Sequence, residues 1–251
     1  MNDTVLEIVG LHKSFGALAV TRNINFRLEI GARHALIGPN GAGKTTLVNL
    51  ITGALAPSSG SIRLEGRDIT RYSPQRRVSL GLARTFQINS LFPSMTVVEN
   101  IALAVVANMH IDAKLWGALN RRKQVLIELE RLLDVFNLSG SACQLISNLA
   151  YGQRRLVELA LALALKPKVL ILDEPAAGLP KEDSGKLSEL LRRLPADLAV
   201  IVIEHDMQIV FGFADRITVL AEGSVLTQGT PSEIRADAKV REVYLGQARN
   251  D

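Results

Sequence analysis

The chain has 251 residues, enough for one large domain with a buried core, or a core with a satellite lobe. Its composition is 47% hydrophobic with a mean hydropathy of +0.18, but no apolar run reaches the roughly 18–20 residues that cross a bilayer. A net charge of +4, from 29 Lys+Arg against 25 Asp+Glu, is too mild and too dispersed to favour nucleic acid as a partner.

Met1-Asn2-Asp3-Thr4 has no basic head leading into an apolar segment, so no secretory signal is expected. The first elements read as strands. Leu6 and Ile8 alternate with Glu7 and Val9, and Ile24, Phe26, Leu28 and Ile30 alternate with Asn25, Arg27 and Glu29. A short apolar strand over 33–37 runs into Gly38-Pro39-Asn40-Gly41-Ala42-Gly43-Lys44-Thr45-Thr46, which satisfies G-x-x-x-x-G-K-[ST] ahead of a helix predicted from Lys44. Glycines at these positions let consecutive N–H groups turn inward around a phosphate, and the helix N-terminus adds its positive dipole end. Lys44 can reach the β- and γ-phosphates of a nucleotide, and the Thr45 hydroxyl is placed to ligate Mg²⁺. Another strand is expected over 61–65, after the turn Pro57-Ser58-Ser59-Gly60.

The middle of the chain changes to helix. Thr96-Val97-Val98-Glu99 is a capping-box signature opening a helix to about Met109. A second helix is predicted over 119–136, with Leu126, Leu129, Leu133 and Phe136 on one face. Lone Cys143 fits a reducing compartment and is expected to be a small buried hydrophobe. The densest basic clusters, Arg76-Arg77 and Arg121-Arg122-Lys123, read as solvated helix faces, with contact to anionic lipid or another polyanion as the alternative. Gly152 precedes a helix predicted over 153–165, a second helix N-terminus able to receive an anion.

Strand–helix alternation then returns. Val169-Leu170-Ile171-Leu172 and the run 199–203 read as parallel strands buried on both faces, with Leu187, Leu190, Leu191 and Leu194 marking an amphipathic helix between them. The first of these strands delivers Asp173 and Glu174 at its C-terminal end, where ligands bind in open parallel sheets. Asp173 can complete the metal site begun by Thr45, and Glu174, facing the other way, is suited to orient or deprotonate an attacking water. A closing hairpin is expected over 217–228, turning at Glu222-Gly223.

Three further segments, with these motifs, resemble the ATP-binding subunit of ATP-binding-cassette (ABC) transporters. Leu149-Ala150-Tyr151-Gly152-Gln153 is similar to that family's signature, Thr85-Phe86-Gln87 to the segment whose glutamine senses Mg²⁺, and Glu204-His205-Asp206 to the segment of the switch histidine. The five motifs fall in family order between about Leu6 and Gly246. The resemblance implies an α/β fold: a P-loop NTPase (RecA-like) core with an N-terminal antiparallel β subdomain and an inserted helical subdomain. Residues 1–251 would form one cassette, with 1–87 and 161–251 as core and β subdomain and 88–160 as the helical lobe.

The cofactors implied are ATP and Mg²⁺, the metal held by Thr45, Gln87 and Asp173. Glu174, Gln87 and His205 would be catalytic. Phe15, Asn40, Gly41, Gly43, Lys44, Thr45 and Thr46 would hold the nucleotide, and Ala150, Tyr151, Gly152 and Gln153 would meet it from a second subunit in a head-to-tail dimer. Each isolated residue has a plainer alternative: Gln87 a surface glutamine, His205 a structural histidine, Phe15 a core phenylalanine. The implied partners are integral membrane permease subunits, a second ATPase subunit and, indirectly, an external solute-binding protein. The implied place is the cytoplasmic face of the cell membrane.

Within the family, Leu-Ala-Tyr-Gly-Gln, Asp-Glu-Pro-Ala-Ala-Gly-Leu, Glu204-His205-Asp206-Met207 and the tail Val243-Tyr244-Leu245-Gly246 are most similar to branched-chain amino acid importers. An exporter of the lipopolysaccharide type and a soluble cassette acting on nucleic acid are the competing expectations. Four positions depart from the usual pattern. Ala150 lacks a serine hydroxyl, Tyr151 replaces a glycine, Pro180 stands where many members have aspartate, and Leu161 stands where arginine is frequent. Leu91-Phe92-Pro93 is apolar and suits either docking to the permease or burial in the lobe.

Overall fold

The computed structural model describes residues 3–85, 91–109, 119–178 and 184–245. Strands β1 (Thr4–Phe15) and β2 (Leu18–Glu29) form a long antiparallel hairpin, to which β4 (Ser59–Leu64) and β5 (Arg67–Asp68) add in the order β2-β1-β4-β5. Strand β3 (Arg33–Ile37) enters a second sheet, and α1 (Lys44–Thr52) follows it. After α2 (Pro74–Ser79) come β6 (Leu82–Arg84), α3 (Val97–Asn108), α4 (Leu119–Val135) and α5 (Tyr151–Ala164). The chain then alternates through β7 (Val169–Asp173), α6 (Ser184–Arg192), β8 (Ala199–Ile203) and α7 (Met207–Phe213). It closes with β9 (Arg216–Ala221), β10 (Ser224–Gly229), α8 (Pro231–Ala236) and α9 (Ala238–Leu245).

The second sheet has the order β10-β9-β3-β8-β7-β6, parallel except for the β9–β10 hairpin. Its central strands are buried on both faces, and the period of two sorts their side chains between two cores. Leu170, Leu172, Val200 and Val202 face the helical side, in one cluster with Ile101, Leu132, Phe136 and Val157 of the α3–α5 region. Val169, Ile171, Ala199, Ile201 and Ile203 face the other side, packed with α1 and the antiparallel sheet through Leu47, Leu50, Leu6 and Ile62. Burying one such side chain stabilises by about 1.5–3 kcal/mol, which makes the sheet the rigid platform between the two layers. The α/β architecture with an antiparallel β layer agrees with the expectation.

Several local expectations need correcting. Arg77 is not on a solvated face: it is 1% exposed and donates to the carbonyls of Leu50 (2.7 Å), Ile51 (2.6 Å), Thr70 (2.8 Å) and Tyr72 (3.1 Å). The last turn of α1 carries no basic residue of its own, so Arg77 supplies the cation that its terminal carbonyls favour. Cys143 is exposed, because it sits in the turn between two short 3-10 segments, Ser139–Ser141 and Ile146–Asn148. Leu126 is 59% exposed, whereas α4 buries Val125 and Leu132 beside the expected Leu129 and Leu133. The predicted face holds at Leu129, Leu133 and Phe136, and only Leu126 gives its place to Val125. Ile30 is 54% exposed beyond the end of β2, where Gly31 at φ 74 turns the chain. Helix α5 begins at Tyr151, two residues early, with Ala150 at its N-cap.

Candidate active site

Strands β3, β8 and β7 lie side by side, and their C-terminal ends bring three of the predicted segments to one edge of the sheet. After β3 the backbone turns through Gly38, where a side chain would collide with the Leu220 carbonyl, and Gly43, which holds φ 96 at the N-cap of α1. No side chain caps α1, so its first-turn N–H groups are not claimed by a capping group. The Lys44 ammonium folds back across the loop, donating to the carbonyls of Gly38 (2.7 Å) and Pro39 (2.9 Å). Asn40, Gly41 and Thr45 are exposed, and Thr46 is half-buried.

Burial lowers the Lys44 pKa, and the charges of Glu174 and Asp173 act against that lowering. Phosphate loop and acidic strand end therefore share one electrostatic site. Asp173 is half-buried and ion-paired to Arg84, whose other nitrogen donates to Asn49 Oδ1 at 2.8 Å. Its N–H donates to Thr85 Oγ1 at 3.4 Å. Glu174 is exposed in the left-handed region at φ 45, a conformation uncommon for a residue with a Cβ. Its N–H donates to the Ile203 carbonyl at 2.9 Å, which ties the turn after β7 to the end of β8.

Glu204, 2% exposed, completes that tie. Its Oε1 accepts from the Ala176 N–H at 2.8 Å, and its Oε2 accepts from those of His205 (3.1 Å) and Asp206 (3.4 Å). Burial pushes the Glu204 pKa up, and these three N–H donors pull it back. His205 turns outward, its side chain 76% exposed, with Nδ1 3.8 Å from Glu204 Oε2.

Phe15 closes β1 at 48% exposure, outside the core, with Lys13 Nζ 5.1 Å above its ring. Its hairpin reaches the phosphate loop through Gly223, which accepts from the Arg22 N–H at 2.7 Å and donates to the Ala42 carbonyl at 3.2 Å. The signature residues open the last helix of the lobe, where the Tyr151 ring lies against Gly178, four residues after Glu174. Ala150 caps α5 without a side-chain bond, Tyr151 and Gly152 are half-buried, and Gln153 donates to Ser141 Oγ at 3.3 Å, within its own lobe. Gln87 and Pro180 lie outside the described residues.

The reading of the sequence did not single out Arg84, Glu204 or Arg155 as working parts of this edge. Glu204 carried a signal, a charged residue directly abutting a five-residue apolar strand. Arg84 carried none, since Asp173 lies far along the chain, and the helical spacing of Arg155 and Glu158 gave no sign of the contact with Glu174.

A parallel sheet with a glycine-rich phosphate loop after one strand and adjacent carboxylates after the strand two places along defines a nucleotide-binding cassette. Residues 21–177 match the family described as ABC transporter, and residues 224–249 match that described as Branched-chain amino acid ATP-binding cassette transporter. The high-affinity branched-chain amino acid transport ATP-binding protein BraF of Pseudomonas aeruginosa is 36% identical over 99% of this chain and 100% of its own length. The corresponding protein LivG of Escherichia coli is 37% identical over the same shares. The ADP conformation of MJ1267, an ATP-binding cassette of an ABC transporter, superposes with a TM-score of 0.80 at 28% identity, covering 97% of this chain and 99% of the other.

The chain belongs to the ABC transporter family, as its ATP-binding cassette. Nucleotide binding and ATP hydrolysis come with that membership.

Proposed function

We propose that this chain is the ATP-driven motor of an importer for branched-chain or related amino acids. The observation that carries this reading is the Arg84 bridge from Asn49 of α1 to Asp173, which joins the phosphate-loop helix to the acidic strand end, in a chain whose relatives BraF and LivG are named for branched-chain amino acid transport. Lys44 would neutralise the β/γ-phosphates, while Asn40, Gly41, Gly43 and Thr46 line the phosphate loop and Phe15 offers a stacking face to the base. Among the described residues no group of three or more His, Cys, Asp or Glu side chains could hold a metal by itself. Thr45 and Asp173 offer the oxygen donors that Mg²⁺ prefers, and the resemblance adds Gln87, so the ion would be held jointly with nucleotide oxygens. Bound there, the metal would supply charge stabilisation for the transferred phosphoryl group.

Glu174 would take the proton of the attacking water. It stands at the strand end beside Asp173, exposed where a ligand can reach it. His205, exposed at the neighbouring strand end, would orient the same region. Ala150, Tyr151, Gly152 and Gln153 sit at an uncapped helix start within their own lobe, which suits contact with a nucleotide held by a second subunit. The resulting head-to-tail ATPase dimer would work on two permease subunits at the cytoplasmic face of the membrane, with an external solute-binding protein as indirect partner. No helix among the described residues is long and apolar enough to cross a membrane, in keeping with a peripheral subunit.

The test is Glu174→Gln, which keeps size and hydrogen bonding but removes the base. Nucleotide affinity should hold while turnover falls by about 10²–10⁴-fold. Near-normal steady-state hydrolysis in this variant would overturn the assignment.

A further inference from the structure

Arg155 lies in the first turns of α5 but points into the protein, at 6% exposure. Its Nη1 donates to Glu158 Oε2 at 2.6 Å, one turn further on, and its Nη2 donates at 3.2 Å to the main-chain carbonyl of Glu174. The Glu158 side chain is 2% exposed. Among the described residues, Arg155 Nε and Glu158 Oε1 have no hydrogen-bond partner. A buried ion pair with orphaned polar atoms is a poor source of stability compared with an apolar pair of similar volume.

What the pair supplies is geometry. The guanidinium is a rigid planar fork, and here its two prongs join the start of the signature helix to the residue that carries the proposed base. The same turn is gripped from the opposite side by Glu204, through the Ala176 N–H, and by the Ile203 carbonyl. Glu174 is thus held in its left-handed conformation between a buried cation on α5 and a buried anion at the end of β8.

We infer that Arg155 is a positioning residue for Glu174, holding its backbone so that a displacement of the signature helix moves the carboxylate. This rests on Glu174 being the base. Glu158 anchors the guanidinium; it does not touch the turn in the described contacts. Docking of α5 on a second subunit's nucleotide and the aim of this subunit's own base are then mechanically linked.

The test compares Arg155→Lys, the paired variant Arg155→Met with Glu158→Leu, and Glu174→Gln, each in the full-length chain. Lysine keeps a charge beside Glu158 but cannot span both partners. The apolar pair keeps volume and should fold with an unchanged or raised melting temperature. Both should bind nucleotide with wild-type affinity and lose about 10-fold to 10²-fold in kcat, the scale of a misplaced catalytic group. Adding Arg155→Lys to Glu174→Gln should then lower the residual rate no further, because the arginine acts only through Glu174. A merely structural arginine would lower it again, and that result overturns the inference. So does a kcat within about 2-fold of wild type for either arginine variant while Glu174→Gln is inactive. A fully active Glu174→Gln would instead remove the base assignment, a separate and recognisable outcome.

Discussion

His34 is the second residue of β3, 4% exposed, with Nε2 2.7 Å from Thr218 Oγ1 and its ring edge-on to Phe26 at 4.8 Å. Burial, helped by the charge of Arg216, pushes its pKa down to about 4. As pH falls through 6.5 the unfolded chain takes up a proton that the folded chain refuses until about pH 4, so stability is lost across that window. The difference amounts to about 3 kcal/mol. Glu158 and Glu204 act in the opposite sense, because burial raises their pKa values and the folded state holds protons that the unfolded state releases. Replacing His34 by Gln isolates the histidine. Urea midpoints at pH 7 and pH 5 should lie closer together in His34→Gln than in the wild type, and an unchanged separation would assign the acid sensitivity elsewhere.

Elements differ in how far their making is local. The capping box of α3 is complete: Thr96 Oγ1 accepts from the Glu99 N–H at 3.3 Å, and Glu99 Oε2 accepts from the Thr96 N–H at 2.7 Å. Thr96→Ala should cost about 1 kcal/mol and lower the melting temperature by about 2–4 °C, leaving nucleotide affinity unchanged; thermal unfolding followed by circular dichroism measures it. That cap was legible in four consecutive residues, as were the phosphate loop and the strands, whose periodicities are written into neighbouring positions. The role of Arg77 was not, because its carbonyl partners Leu50 and Ile51 belong to a different element, and a basic doublet reads as surface until the chain folds back on it. Arg84 and Asp173 illustrate the same limit: the acidic strand end was visible, its counter-ion was not. The signature helix was visible too, yet its buried Arg155 and Glu158 break the expectation that charges mark the solvent face.

At the scale of the whole molecule, the cassette offers a site built for phosphate, so a free amino acid should not bind it. Leu91 is buried at 8% exposure and belongs to the core, whereas Phe92 is 54% exposed beside it, so burial in the lobe accounts for the first side chain and not the second. Co-expression with neighbouring permease genes should yield a membrane complex containing this chain and a second, non-identical ATPase, read from subunit stoichiometry. Failure to co-purify with any membrane protein, together with hydrolysis stimulated by DNA or RNA, would argue for a soluble cassette instead.

The exposure of Cys143 has a practical side. It is the chain's single cysteine, and it stands in solvent on the turn that precedes the signature helix. A maleimide dye or nitroxide should therefore attach at one known place without any engineered substitution. A second probe on the nucleotide would turn that thiol into a ruler for the distance between the lobe and the bound ligand.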